Sequence, residues 1–218
     1  MAHPDSSRVV SVLIDRHGRT YADDAGIRLR DTPAPLFQLL CLSLMLSARI
    51  RGEAAVEAAR ALFDAGWTTP DHLAESTWEE RVKVLNEHGY ARYDESTARM
   101  LAQTTDLLVE RYRGDLRRLR DAAEGDVCAI QRLLQEFTGM GSVGAAIYCR
   151  EVQLVWDEVR PFADERALQV AERLGLGSEP EALDRLTDSP EQLTRLVAAL
   201  VRCGLDDDED EVLEIAGN

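Results

Sequence analysis

Residues 133–164 read LLQEFTGMGSVGAAIYCREVQLVWDEVRPFAD, and the turn at the centre of this stretch decides the fold. Apolar residues at helical spacing run up to Phe137, and a second helical pattern starts at Ser142. Between them Thr138, Gly139, Met140 and Gly141 leave room for only a tight turn. Glycine reaches positive φ without a Cβ clash and lets backbone N–H groups approach a ligand closely. The helix beginning at Ser142 presents unpaired N–H groups and the positive end of its dipole at the same place. Two readings follow. The turn is an ordinary connection between two helices, a common device, or it is an anion site that suits a phosphodiester. A carboxylate, Asp164, stands past the second helix, behind Arg160 and Pro161.

The flanking sequence is helical throughout. Residues 36–48, LFQLLCLSLMLSA, are apolar almost all round, which predicts a central buried helix. Residues 53–63 form an amphipathic helix with Val56, Ala59, Leu62 and Phe63 on one side. Thr77 and Glu80 fit a capping box, and Gly89 stops the helix that they start. Residues 94–112 make a long amphipathic helix. At the N-terminus, Ser6 or Ser7 caps a helix that Gly18 ends, while 19–30 reads as a loop or a short strand pair. After Asp164, helices are expected to Leu174, over 181–186, and from Pro190 to Gly204. His88 reads as a helix-end residue rather than a ligand.

Composition narrows the function classes. The chain has 218 residues, 45% of them apolar, enough for a sizeable core. No apolar run is long enough for a bilayer, and MAHPDSSR lacks an export pattern, so a cytoplasmic location is expected. Cys41, Cys128, Cys149 and Cys203 lie far apart in apolar helical contexts. They read as free buried thiols, with neither a disulfide framework nor a metal site. The net charge of −15 argues against generic nucleic-acid binding, which needs lysine and arginine. Seven acidic residues lie in 206–214; without them the charge is still −8. That tail is expected to be mobile and solvated. A DNA-binding face would be a local arginine patch, because Lys83 is the only lysine. Arg111, Arg113, Arg117, Arg118 and Arg120 form the densest basic cluster. They either touch a DNA backbone or pair with acidic neighbours, and the second is favoured.

The run F-T-G-M-G-S-V-G-A-A followed by P-F-A-D resembles the helix-hairpin-helix and Gly/Pro/Asp signature of the endonuclease III superfamily of DNA glycosylases. Residues 36–48 are similar to that family's first core helix, which ends in a Ser-Ala-Gln type motif, and 89–116 to the segment before its hairpin. The likeness spans roughly 36–174. It implies an all-α, two-lobed fold with a cleft. Residues 1–49 would pack with a C-terminal lobe of 155–205, 50–154 would form the other lobe, with the hairpin at 126–154, and 206–218 would be an acidic tail. It also implies base removal from duplex DNA as the activity. Arg49 stands where a glutamine often fills the gap left by an extruded base, although a solvated arginine at a helix end is an equal reading. The N–H groups around Gly139, Met140, Gly141, Ser142 and Val143 would hold a phosphate.

The chemistry rests on Asp164, which matches the family's required aspartate. A glycosylase swings the base out of the stack, and cleaving the N-glycosidic bond builds positive charge on the sugar. A buried carboxylate stabilises that charge and activates water. Asp164 also reads as the N-cap of the next helix, and one side chain can do both. It lies 25 positions after Gly139, a spacing closer to the alkylbase glycosylase branch. The family's bifunctional members carry a Schiff-base lysine where this chain has Val143, so no lyase step is expected. Gly144 replaces their next threonine, and Thr138 a proline. Cys203 stands alone where an iron–sulfur branch has four cysteines, so no cluster, cofactor or metal is expected. A monomer acting on duplex DNA with a damaged or mismatched base is expected. Two alternatives stay open: a non-catalytic binder of damaged or abasic DNA, and an acidic helical protein-interaction domain. Tyr93, Tyr148 and Trp156 are either pocket aromatics or, as helical aromatics more often are, core.

Overall fold

A computed structural model describes residues 5–217. Met1, Ala2, His3 and Pro4, part of the segment read above as lacking an export pattern, lie outside the described residues, as does Asn218. In chain order the helices are α1 (Ser6–His17), α2 (Tyr21–Asp24), α3 (Pro33–Leu46), α4 (Gly52–Asp64), α5 (Pro70–Glu75), α6 (Trp78–Leu85) and α7 (Asp94–Tyr112). Then come α8 (Leu116–Ala122), α9 (Val127–Leu134), α10 (Ser142–Val152), α11 (Glu165–Arg173), α12 (Pro180–Asp184), α13 (Pro190–Asp206) and α14 (Glu209–Gly217). Among the described residues there is no strand, and no helix is long and apolar enough to cross a membrane.

The chain divides into two compact units, Met1–Tyr21 with Val159–Asn218, and Ala22–Glu158. The expected divisions at 49/50 and 154/155 therefore fall elsewhere. The reason is α3, which packs with α4, α8 and α10 and so belongs to the middle unit. Its residues Leu36, Leu39, Leu40, Leu42 and Leu44 are buried, as its unbroken apolar sequence predicts. Each such leucine contributes roughly 1.5–3 kcal/mol by leaving water. The capping box at Thr77 also forms: Glu80 Oε2 accepts the Thr77 N–H at 2.8 Å, and Thr77 Oγ1 accepts the Glu80 N–H at 3.2 Å.

A polar pin, buried at its Trp156 end, ties together the start of α3, α8 and the end of the middle unit. The Trp156 indole is fully buried, and its Nε1–H donates to Asp31 Oδ1 at 2.9 Å. Arg120 reaches Asp31 Oδ2 at 3.1 Å and lies 5.3 Å over the same indole ring. Asp31→Ala would strand the indole donor, a loss of about 1–3 kcal/mol. A shift in the urea midpoint should show it, and an unchanged midpoint would mean that the pin is not needed.

In the other unit, Val9 and Leu13 of α1, Val170 of α11, Leu196 and Leu200 of α13 and Val212 of α14 share one core. Two expectations fail here. Gly204 does not end α13, which runs on to Asp206 with Asp207 as a left-handed cap at φ 56°. A Cβ at Gly204 would stand 2.5 Å from Val170 Cγ2, so this glycine permits the close approach of α11 instead. The acidic tail is not a mobile, solvated segment either. Its residues form α14, with Val212 and Ala216 buried. Arg16 meets Asp208 at 2.9 Å and Glu211 at 3.1 Å, His17 Nε2 meets Asp208 at 2.6 Å, and Arg173 pairs with Glu209.

The His17 hydrogen bond, supported by Arg16, holds the Asp208 carboxyl below its ordinary 3.8. A depressed carboxyl stabilises the folded form above the unfolded value, and this contribution is lost as pH falls through the folded value. Amide exchange across α14 should therefore accelerate once the pH drops below 3.8, ahead of α13. Equal exchange in both helices over that range would contradict the assignment.

Three smaller differences are local. Residues 19–30 contain the short α2 and no strand, with Ala22, Ala25 and Ile27 buried. The cap of α1 is Asp5, not a serine; its Oδ1 accepts the Ser7 N–H at 3.3 Å. Cys128 is exposed, because it lies on the outer side of α9, while the other three thiols are buried. Burial pushes Cys149 and Cys203 up to about 12, which makes them inert at neutral pH.

Candidate nucleic-acid interface

The hairpin joins α9 to α10. The first helix ends at Leu134, three residues before the expected end, and the chain turns through Phe137 to Gly141. Phe137 and Met140 are 1% and 2% exposed, so two apolar side chains anchor the turn from beneath. Phe137 packs against Tyr112 with ring centroids 6.3 Å apart. Gly139 takes φ +87°, and an added Cβ would meet Met100 Sδ of α7 at 2.4 Å. Only glycine suits that position on both counts. Gly141 is extended instead, at φ −81° and ψ −173°, and serves as the N-cap of α10.

This N-cap has no side-chain acceptor, and the first turn of α10 has no acidic residue. The N–H groups of Gly141, Ser142 and Val143 find no protein acceptor among the described residues. All three residues are exposed, as is Gly139. The helix therefore offers a positive dipole end and free donors to solvent, an arrangement that suits an anion. The Met140 N–H is bonded within the turn, to Phe137 O at 2.9 Å. Its thioether folds back under the turn, 2.5 Å from where a Cβ on Gly144 would stand. Val143 is 61% exposed, an unusual setting for an aliphatic side chain.

The end of α3 lies against this hairpin. Ser47 Oγ sits 2.6 Å from Leu44 O and 3.2 Å from Gly139 O. Gly144 brings α10 close, since a Cβ there would stand 3.3 Å from Ser47 Cβ. Tyr90, on the π-helical turn Asn86–Tyr90, donates its hydroxyl to Met45 O at 2.8 Å. Arg49 follows two residues after Ser47, exposed and without an ion pair among the described residues. The structure thus brings Arg49 and the hairpin into one region of the middle unit. In the sequence Ser47 stands out only as part of a motif; its link to Gly139, 92 positions away, leaves no local signal.

The remaining candidates sort cleanly. Asp164 belongs to the other unit and caps α11, its Oδ1 accepting the Ala167 N–H at 3.0 Å. Tyr148 and Trp156 are wholly buried and meet edge to face at 5.8 Å, so they are core. Tyr93 is half-buried, with the Arg92 guanidinium 5.4 Å over its ring. Within the basic cluster, Arg111 pairs with Glu136, Arg117 with Asp115 at 2.7 Å, and Arg120 with Asp31 at 3.1 Å. Most of that cluster is committed to carboxylates. His88 turns its Nδ1 to Val84 O at 2.8 Å, a helix-end role. Lys83 is exposed on α6. Among the described residues no three His, Cys, Asp or Glu side chains converge as metal ligands.

No family model matches the chain, and no curated protein matches it. Among solved structures, the chain is similar to endonuclease III in a trapped covalent intermediate with DNA, an estranged-adenine complex. The identity is 16%, the alignment covers 91% of this chain and 86% of that one, and the TM-score is 0.49.

Proposed function

We propose that this protein is a DNA-repair glycosylase of the helix-hairpin-helix kind, which hydrolyses the N-glycosidic bond of a modified base in duplex DNA. The observation that carries the reading is the hairpin: free N–H groups at the start of α10, no acidic residue in its first turn, and a positive-φ glycine in the turn before it. In the proposal these donors hold one phosphate, and such a contact fixes register without reading sequence. Arg49 enters the gap left by the extruded base. Asp164 stabilises the positive charge that develops on the sugar and activates the attacking water. No lyase step follows, because Val143 offers no amine. The net charge of −15 limits the interface to this local region and predicts weak non-specific binding.

The test is base release from duplexes carrying uracil, oxidised pyrimidines, alkylated purines, hypoxanthine or mismatched adenine. Alkali treatment reveals abasic sites. Release from one duplex, with strand breaks only after alkali, supports the proposal and names the lesion. Binding to an abasic duplex without any release would reduce the reading to a non-catalytic DNA binder. Neither release nor binding would remove the DNA reading.

A further inference from the structure

The Ser47 hydroxyl has one proton and two carbonyl oxygens within reach, Leu44 O at 2.6 Å and Gly139 O at 3.2 Å. Leu44 O belongs to its own helix, and its bond is the ordinary back-bond of a helix-end serine. Gly139 O belongs to the hairpin, and it is the carbonyl of the residue held at φ +87°. With its single proton shared, Ser47 joins the end of α3 to the turn through the longer of the two contacts. Its backbone is equally fixed, for its N–H bonds to Ser43 O at 3.1 Å and Leu44 O at 3.2 Å. Tyr90 pins the neighbouring Met45 carbonyl from a third segment. Arg49 lies only two residues beyond this fixed point, so its backbone stays within about 7–8 Å of the Ser47 Cα. The guanidinium itself makes no hydrogen bond or ion pair among the described residues to set its direction. The contact at Ser47, together with the close approach of α10 at Gly144, thus orients the Arg49 segment relative to the hairpin.

We propose that Ser47 is a positioning residue that holds Arg49 in register with the hairpin, so that both engage the same duplex at a gap in its base stack. This rests on the DNA reading above. It adds that a phosphate contact and a gap contact are mechanically linked through one hydroxyl, and that the linked pair selects duplexes with a vacated base position over intact ones.

A double-mutant cycle with Ser47→Ala and Arg49→Ala tests the link. Affinity is measured by anisotropy for a duplex with a tetrahydrofuran abasic analogue and for the same duplex unmodified. Ser47→Ala should weaken abasic-duplex binding about 5–10-fold, the scale of one lost hydrogen bond. The loss should be clearly smaller on the intact duplex, and smaller again once Arg49 is alanine. Independent, additive losses would overturn the proposal, and so would an equal loss on both duplexes. Amide exchange on the free protein supplies a second reading. Met140 and Ala145, whose N–H groups bond to Phe137 O and Gly141 O, should exchange faster in Ser47→Ala, while α13 stays unchanged. Unchanged exchange at both amides would also overturn it. Wild-type protein that binds neither duplex would sink the DNA reading alone, while the exchange result would still decide whether Ser47 fixes the hairpin.

Discussion

Asp164→Asn should reduce base release by at least about 100-fold while leaving the fold untouched. Electrostatic stabilisation of a developing charge accounts for a loss of this scale when one such group is removed. The substitution isolates charge from architecture. Asp164 Oδ1 caps α11 by accepting the Ala167 N–H at 3.0 Å, and an asparagine amide oxygen caps a helix about as well. Chemistry should therefore fail while the urea midpoint holds. Asp164→Ala would lose the cap too, at about 1 kcal/mol, and its midpoint should fall. Single-turnover release measured beside the unfolding midpoint separates the two effects. If Asp164→Asn released base at the wild-type rate, the carboxylate would be a cap and nothing more, and the proposed chemistry would have no proton acceptor.

The second large effect is a gain. Val143→Lys should create an enzyme that borohydride traps covalently on abasic DNA, where wild type gives no adduct. Val143 is 61% exposed at the start of α10, so a lysine there has room and disturbs no packing. Its amine would condense with the C1′ aldehyde of an abasic site, releasing water and forming an imine that borohydride reduces to a stable amine. The free N–H groups beside it remain available to hold the neighbouring phosphate. The adduct should disappear when Arg49→Ala is added, if both segments grip the same duplex. Val143→Lys protein that binds abasic DNA yet never traps would place Val143 away from the sugar. The equivalence between this position and the family's lysine would then fail. Val143→Arg, equally cationic but not nucleophilic, controls for simple gains in affinity.

Much of this protein was determined by the sequence alone, because the deciding forces act over a few residues. Apolar spacing and caps set the helices, so α3 is buried as its composition requires and Thr77 with Glu80 closes the expected box. The start of α10 at Ser142 and the cap at Asp164 were equally legible, since glycine conformations and Asp capping are local chemistry. The resemblance rested on the same stretch. Contacts between partners far apart in the chain had no such local origin. The acidic segment read as solvated became α14, because Arg16 and His17 lie some 190 residues away and meet Asp208 only after folding. Gly204 reads as a helix stop until Val170 is seen against it. Tyr148 and Trp156 could have lined a pocket, but burial settled them as core. The arginine cluster is largely spent on Asp31, Asp115 and Glu136, and the link from Ser47 to Gly139 spans 92 positions. Side-chain pairing across such distances leaves no periodicity in the sequence, because it depends on which surfaces the packed helices bring face to face.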